Sequence, residues 1–205
     1  MPDYAVPLRE QDVDPDPLRQ FAAWFKEAVE ADVRIPEAMA LATASAAGRP
    51  SVRMVLMKGY DERGFVFFTH YASPKGRELT ANPQAALLFY WDPLGRQVRL
   101  EGSAEPTSPE ETAAYVRSRP AGSQLSALAS PQSQILTSRE QLERRVGELE
   151  ARYQAGELPL PEDWGGFRVR PDTFEFWQNR EDRLHDRLRY TRRPGGAWRV
   201  ARLAP

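Results

Sequence analysis

The sequence predicts a mostly β protein with flanking helices, built as an antiparallel β-barrel, and three observations support this fold class. About eight short segments are rich in the β-branched and aromatic residues that strands prefer. Turn residues join most of these segments, so the regular β-α-β alternation of a doubly wound sheet is missing. Roughly four or five helical segments interrupt them. We therefore expect a single domain over residues 16–205, behind a polar, proline-spaced arm over residues 1–15 whose terminal position favours flexibility.

Helices are predicted where a capping residue precedes apolar positions at helical spacing. They begin at Pro17 behind Asp16, at Pro74 behind Ser73, at Pro109 behind Ser108, and at Ser138, where Ser138 and Gln141 have the spacing of a capping box and Gly156 ends the helix. Ser123 is expected in a Gly-Ser loop that follows the third helix.

Strands are predicted where β-forming residues lie between turn residues. They cover residues 39–45, 51–69, 84–91, 96–106, 167–170, 173–178, 185–191 and 198–203. We interpret the segment 51–69 as two strands joined by a tight turn at residues 61–64, and residues 194–196 as a second hairpin turn. Residues 96–106 alternate polar and apolar side chains, which is typical of a half-buried antiparallel strand.

The composition excludes several classes of protein. The net charge of −1, from 28 basic and 29 acidic residues, creates no overall field that would attract nucleic acid or an anionic membrane. No apolar run approaches the roughly 20 residues of a membrane span, and the first residues lack a signal-peptide pattern, so a cytoplasmic location is expected. Zero cysteines and two histidines exclude disulfides, thiol catalysis and a Cys/His zinc site, and we expect no metal.

Two cations, Arg53 and Lys58, bracket the apolar first strand of the segment 51–69. Either they are rim charges that reach water, or they hold a phosphate or carboxylate at the mouth of the barrel. Lys75 allows the same two interpretations, because it lies at the amino end of a predicted helix, where unpaired N–H groups attract anions. Only three of the 28 basic residues are lysines. Because the compact ammonium group of lysine suits a phosphate oxygen, each of these lysines is a hint of a phosphate site.

The last third of the chain offers a different interpretation. Between Arg168 and Arg202 ten arginines occur with five acids, and Trp177, Tyr190 and Trp198 lie among them. Basic and aromatic residues together are typical of proteins that bind single-stranded nucleic acid. Strand alternation would spread these arginines over both faces of a sheet, however, which disfavours a single binding surface.

Several motifs carry a resemblance to a known family. The segment R-L-H-D-R begins at Arg183, W-G-G-F-R at Trp164 and E-F-W-Q at Glu175, and the chain ends in W-R-V-A-R-L-A-P. With R-M-V-L-M-K from Arg53 and the later S-R-P, S-Q and P-Q-S-Q segments in the same order, the chain from residue 16 to its end resembles the pyridoxine (pyridoxamine) 5′-phosphate oxidase family.

The resemblance implies an FMN-binding split β-barrel, a homodimer with two flavins at the subunit interface. It implies oxidation of pyridoxine or pyridoxamine 5′-phosphate to pyridoxal 5′-phosphate by molecular oxygen, with hydrogen peroxide released, in vitamin B6 salvage. The flavin residues that it implies are Arg53, Met54, Val55, Leu56, Lys58, Phe68, Thr69, Lys75 and Gln97, together with Gln132, Ser133, Trp177 and Arg187, which would reach the flavin from the other subunit. For the substrate phosphate it implies Lys58, Tyr115, Arg119 and Ser123, and for the pyridine ring the catalytic pair Arg183 and His185.

Strand parity and three departures refine this expectation. In an ideal strand Arg53 and Lys58 face opposite sides, which suits two separate phosphates better than one shared site. Pro74 stands where the family commonly has a second cation, and Phe68 where a tyrosine is common. The arm over residues 1–15 lacks a clear counterpart of the segment that many relatives fold over the substrate. The alternatives are another flavin split-barrel oxidoreductase, of phenazine or deazaflavin type, and a non-catalytic carrier of FMN or pyridoxal phosphate.

Overall fold

The structure is a computed structural model that describes residues 7–153, 158–161 and 163–205. Strands make up 36% and helices 31% of the described residues. The strands are β1 (Ala38–Ala44), β2 (Pro50–Leu56), β3 (Gly59–Asp61), β4 (Gly64–His70), β5 (Gln84–Trp91), β6 (Arg96–Pro106), β7 (Trp164–Gln178), β8 (Asp186–Arg192) and β9 (Trp198–Arg202). The helices are α1 (Pro17–Glu30), α2 (Pro74–Ala81), α3 (Pro109–Ser118), α4 (Ala121–Ala129) and α5 (Arg139–Arg152), with 3₁₀ turns at Asp92–Leu94 and Glu181–Arg183.

The strands form one antiparallel sheet that curls into a half barrel. Its order is β2-β1-β5-β6-β7-β4-β3, and β8 and β9 continue it from β7. This architecture confirms the predicted fold class of an antiparallel barrel with flanking helices. None of the helices in the described residues has both the length and the apolarity that a membrane crossing requires.

Helix α1 fills the concave side of the sheet. Its N-cap Asp16 accepts a hydrogen bond from the backbone N–H of Leu18 at 2.9 Å, as the capping pattern predicts. Phe21 is fully buried and meets the Phe65 ring edge-on, with 4.8 Å between centroids. Burying one such ring stabilises the fold by about 1.5–3 kcal/mol, so this apolar face fixes α1 against the sheet.

The interpretation of residues 51–69 as one hairpin is wrong. Strand β2 ends at Leu56 and pairs with β1, whereas the predicted tight turn joins the short strand β3 to β4. The chain leaves the ladder because Met57 is buried and donates its N–H to the Glu37 carbonyl, while Lys58 donates to the carbonyl of Val66. The alternation of side chains along a strand therefore does not apply between Arg53 and Lys58.

Two predictions about helices are also wrong. Ser123 lies in the first turn of α4 rather than in a loop, because Leu125 and two alanines give this segment a buried face. The capping box predicted for α5 does not form within the described residues. Instead the Gln141 side chain accepts hydrogen bonds from the N–H and hydroxyl of Thr137. The predicted end of this helix at Gly156 lies outside the described residues.

Strand β7 is continuous where the sequence predicts two separate strands, and it begins earlier, at Trp164. A register shift opposite Glu101 and Gly102 of β6 accommodates Pro171 within it. Gly102 is required there, since an added Cβ would lie 2.0 Å from the carbonyl oxygen of Arg170. This long strand connects the two regions that carry the predicted site residues.

Candidate functional site

A cleft of about 560 Å³ opens between β2, β4, the start of α2 and the α3–α4 junction. Most of the predicted flavin and phosphate residues line it: Arg53, Met54, Val55, Leu56, Lys58, Phe68, Thr69, Lys75, Tyr115, Arg119, Ser123 and Gln132. Pro120 and Trp164 complete the lining. Arg53 and Lys58 therefore share one cleft, contrary to the expectation that they face different sides. Four cations meet in it, so the cleft is suited to anionic ligands.

Arg53 is held by a network on the wall of the cleft. Its Nη1 donates to the hydroxyl of Thr43 at 2.5 Å, and its Nη2 donates to the hydroxyl of Ser51 at 2.5 Å. Glu78 Oε2 lies 3.3 Å from Nη2 and also accepts hydrogen bonds from both hydroxyls. Burial opposes ionisation of Glu78, but these hydroxyls and the Arg53 charge outweigh it and lower the pKa of the carboxyl.

Lys75 occupies the first turn of α2, whose N-cap is Ser73. Its Nζ donates to Gln132 Oε1 at 2.8 Å and to the Thr69 hydroxyl at 3.1 Å. Burial, followed by the charge of Arg53, lowers the pKa of Lys75. Gln132 thus lines the cleft of its own chain, contrary to the expectation that it reaches the flavin from the other subunit. The loop after α4 folds back over β4 and brings it there.

The opposite wall carries the predicted phosphate residues. The Arg119 guanidinium lies 5.0 Å from the ring centroid of Trp164, and its buried Nη1 has no hydrogen-bond partner among the described residues. Tyr115 stacks on Phe68 with 3.9 Å between centroids. Burial raises the pKa of Tyr115, although the Arg119 charge opposes this, so the phenol keeps its proton at neutral pH. A buried N–H donor without a hydrogen-bond partner is costly, and an anion would satisfy it.

The other predicted residues lie outside this cleft within the described chain. Gln97, Trp177 and Arg187 are direct cross-strand neighbours on β6, β7 and β8, so their side chains share one face of the sheet. The His185 ring lies 4.6 Å from the Trp177 ring. Arg187 donates to buried Glu175 at 2.8 Å, and this hydrogen bond raises the pKa of Arg187. These four predicted residues form a second cluster, which we call the outer-face cluster.

Arg183 is exposed and lies in the turn that precedes β8. Its backbone φ of 59° and the φ of 53° at Asp182 are in the left-handed region, which costs energy for residues other than glycine. His185 Nδ1 accepts the backbone N–H of Arg180 at 3.2 Å, and this bond orients the ring. Ser133 also has a left-handed φ, 67°, directly after Gln132. Strained backbone of this kind is typical of ligand-binding turns.

The N-terminal segment packs beside this turn. Leu8 is buried and its N–H donates to Asp186 Oδ2 at 3.1 Å. Arg202 of β9 donates to Asp186 at 2.7 Å and to Glu10 at 2.9 Å. Residues 1–6 of the predicted arm lie outside the described residues. From residue 7 onwards, the arm is tied to the strand that follows Arg183 and His185.

Sequence reasoning missed Thr43, Ser51 and Glu78, which hold Arg53, and Glu175, which holds Arg187. Glu78 lies one helical turn after Lys75, but the sequence gives no sign that it meets Arg53 across the strands. A second cavity, of about 580 Å³, lies behind Gln132 and is lined by α4, α5 and His70. Of the predicted residues only Gln132 lines it, so the first cleft is the candidate site.

Comparisons with known proteins agree with the resemblance. Residues 25–153 match the family model described as "Pyridoxamine 5'-phosphate oxidase", and residues 164–205 match "Pyridoxine 5'-phosphate oxidase C-terminal dimerisation region". The chain is 59% identical over 198 residues to a pyridoxine/pyridoxamine 5'-phosphate oxidase of Rubrobacter xylanophilus, covering 97% of this chain and 91% of the relative. A relative of the same name from Paraburkholderia phymatum is 57% identical over 195 residues, covering 95% and 91%.

Solved structures have the same fold. PhzG from Burkholderia lata, in complex with tetrahydrophenazine-1-carboxylic acid, superimposes with a TM-score of 0.90 at 38% identity, covering 100% of this chain and 97% of that one. A pyridoxamine 5'-phosphate oxidase-related, FMN-binding protein from Nostoc punctiforme superimposes with a TM-score of 0.72 at 18% identity, covering 93% and 98%. At that identity the second likeness shows the fold alone.

Proposed function

Because the chain belongs to the pyridoxamine 5'-phosphate oxidase family, we propose that it oxidises pyridoxine or pyridoxamine 5′-phosphate to pyridoxal 5′-phosphate. Molecular oxygen is the acceptor and is reduced to hydrogen peroxide; the amine substrate also takes up water and releases ammonia. FMN is the cofactor. The observation that carries the proposal is the buried, unpartnered Nη1 of Arg119, in a cleft shared with Lys58, Tyr115 and Ser123.

The residues of the cleft fit FMN. Arg53 and Lys75 are two cations on one wall, and the hydroxyl of Thr69 and the amide of Gln132 lie beside Lys75. This donor set suits the phosphate and polar ring edge of a flavin nucleotide. When bound, FMN accepts the hydride that leaves the substrate and passes the electrons to oxygen. The lost cation and hydroxyl at Pro74 and Phe68 leave Arg53 and Lys75 as the main phosphate partners.

The substrate phosphate would be bound by the opposite wall. A dianion that enters a cleft loses its hydration, and cations with hydroxyl donors must replace it. Arg119 and Lys58 supply the charge, while Ser123 and the protonated phenol of Tyr115 supply O–H donors. Because its Nη1 is buried and its guanidinium is held over Trp164, Arg119 is already oriented before the ligand arrives.

We propose that a second subunit completes the site. The C-terminal dimerisation region supports a homodimer. The convex face of the sheet carries exposed apolar side chains, Val52 at 69% and Met54 at 65% exposure, next to the cleft. A second copy that covers this face would bring its outer-face cluster, with Arg183, toward the flavin. Arg183 would then cover the substrate ring and His185 would hold its 3-hydroxyl group.

Holding the substrate in this orientation would lower the activation barrier of the reaction. In well-aligned intramolecular reactions this effect reaches about 7–11 kcal/mol. The side chains of this chain position the substrate and exclude water, and no side chain needs to accept the hydride. The cytoplasmic location expected from the sequence stays a prediction.

A phenazine-type oxidation is the second candidate, because PhzG matches over the whole chain. Tetrahydrophenazine-1-carboxylic acid carries one carboxylate and no phosphate, so it needs fewer cations than this cleft provides. The relatives at 57–59% identity favour the pyridoxine phosphate reaction. A non-catalytic carrier would bind FMN or pyridoxal phosphate tightly without turnover.

The experiment that separates these functions is aerobic turnover by the FMN-loaded protein with four compounds. These are pyridoxine 5′-phosphate, pyridoxamine 5′-phosphate, unphosphorylated pyridoxine and a reduced phenazine carboxylate. We expect hydrogen peroxide and pyridoxal phosphate from the two phosphate esters only. Turnover of the phenazine alone would establish the second candidate, and no turnover of any compound would leave the carrier.

A further inference from the structure

Glu78 is an acidic side chain directly behind the cationic wall of the cleft. Its Oε2 accepts hydrogen bonds from Thr43 at 2.5 Å and from Ser51 at 2.6 Å, and the same oxygen lies 3.3 Å from Arg53 Nη2. The side chains of Glu78 and Arg53 are only 18% and 21% exposed. Glu78 does not line the cleft among the described residues, so it would face Arg53 rather than a ligand.

The network fixes both halves of the Arg53 guanidinium. Nη1 is bound by the Thr43 hydroxyl and by the Leu41 carbonyl at 3.2 Å, and Nη2 by Ser51 and Glu78. Each hydroxyl also donates to Glu78, so the carboxylate orders the two groups that hold Arg53. Three elements contribute to this clamp: β1, β2 and α2.

We propose that Glu78 is a positioning residue for the cofactor, which holds Arg53 in the orientation that binds the FMN phosphate. The inference rests on the proposed placement of that phosphate between Arg53 and Lys75. Pro74 offers no charge of its own, so retention of the flavin depends more heavily on the orientation of Arg53. Glu78 acts through Arg53 and does not touch the cofactor.

A carboxylate near a phosphate could have the opposite effect. If Glu78 acted mainly as a negative charge, it would repel the dianion, and removing the charge would tighten FMN binding. If it acts by positioning, removing the acceptor frees Arg53, Thr43 and Ser51, and FMN binding weakens. The two effects have opposite signs, so a single measurement of FMN affinity separates them.

The test measures FMN release from the FMN-loaded, full-length protein on serial dilution, followed by the fluorescence of the freed flavin. Glu78→Ala is expected to raise the FMN dissociation constant about tenfold or more, in line with the loss of hydrogen bonds to a charged group. Glu78→Gln keeps an oxygen acceptor at the same position and is expected to stay within about threefold of the parent. Glu143→Ala, which removes an exposed carboxylate paired with Arg139 on α5, is the matched control and leaves release unchanged.

Unchanged or tighter binding in Glu78→Ala would overturn the proposal. If that variant does not fold, Glu78→Asp replaces it, because aspartate keeps the charge but is shorter by one methylene. FMN release from Glu78→Asp that is as slow as from the parent would also overturn the proposal. Adding Glu78→Ala to Arg53→Ala should weaken FMN binding no further. If Arg53→Ala alone leaves FMN binding intact, the placement of the phosphate is wrong. If the parent protein binds FMN but oxidises neither phosphate ester, the proposed reaction is wrong, whereas the role of Glu78 is still decided by FMN release.

Discussion

Replacing Arg119 by Met tests the phosphate site, because the side chain keeps most of its length but loses its charge. Arg119 would bind the substrate phosphate through hydrogen bonds between charged groups, which are worth about 1.5–3 kcal/mol. At 1.4 kcal/mol per factor of ten, kcat/KM for pyridoxine 5′-phosphate should fall by about 10- to 150-fold. Most of this loss should appear in KM, since the phosphate is remote from the reacting carbon.

The same substitution should not destabilise the ligand-free protein. The buried Nη1 of Arg119 has no partner among the described residues, and removing such a group removes a desolvation penalty of about 1–3 kcal/mol from the folded state. The contact with Trp164 at 5.0 Å is worth about 0.5–2 kcal/mol and is lost. The two effects nearly cancel or leave a small net gain, so the thermal midpoint should stay constant or rise slightly.

Steady-state kinetics and thermal melting of Arg119→Met check both halves, with Arg117→Met as the control. Arg117 is exposed near the end of α3, two residues before Arg119, and does not line the cleft in the described structure, so its replacement should leave KM unchanged. A midpoint lowered by many degrees, together with an unchanged KM, would show that Arg119 is structural and would refute the reasoning.

Three further predictions follow from the structure. Arg183→Ala should reduce turnover far more than FMN affinity, and an equal loss of both, measured by kinetics and flavin release, would contradict its assignment to the substrate ring. Gly102→Ala should lower the free energy of unfolding by more than about 2 kcal/mol, because its Cβ would lie 2.0 Å from the Arg170 carbonyl oxygen. Gly147→Ala on the exposed face of α5, where a Cβ meets nothing within 4 Å, should raise the free energy of unfolding by up to about 1 kcal/mol. Unfolding in denaturant measures both changes. Burial lowers the pKa of His70 below its unfolded value of 6.5, so the unfolded state binds more protons and stability should decrease as pH falls through 6.5. His70→Gln should lose less of its thermal midpoint between pH 7 and pH 5, and an identical pH profile would contradict this.

Local signals in the sequence predicted much of the fold. The caps Asp16, Ser73 and Ser108 were placed correctly, because each depends on residues only two or three positions away. The bounds of β5 and β6 were also correct, since Asp92-Pro93 and Gly95 separate two clear strand patterns. The break after Leu56 was missed because it depends on Met57 being buried and on Lys58 pairing with Val66, which are tertiary effects.

The site was predicted mostly through the resemblance, and the structure adds its geometry. Arg53 and Arg119 lie far apart in the chain, and no periodicity relates them, yet they line one cleft. The clamp of Thr43, Ser51 and Glu78 around Arg53 could not be predicted, since it joins three elements through side-chain contacts. The place of Gln132 in the cleft of its own chain was not expected, because the path of the loop after α4 is not encoded in any local pattern.

The most direct test of the proposed reaction is anaerobic mixing of the FMN-loaded protein with pyridoxine 5′-phosphate, followed by the visible absorbance of the flavin. We expect the absorbance to bleach as the hydride is transferred and to recover when air is admitted. A spectrum that stays unchanged with pyridoxine 5′-phosphate and also with pyridoxamine 5′-phosphate would contradict the proposed oxidase.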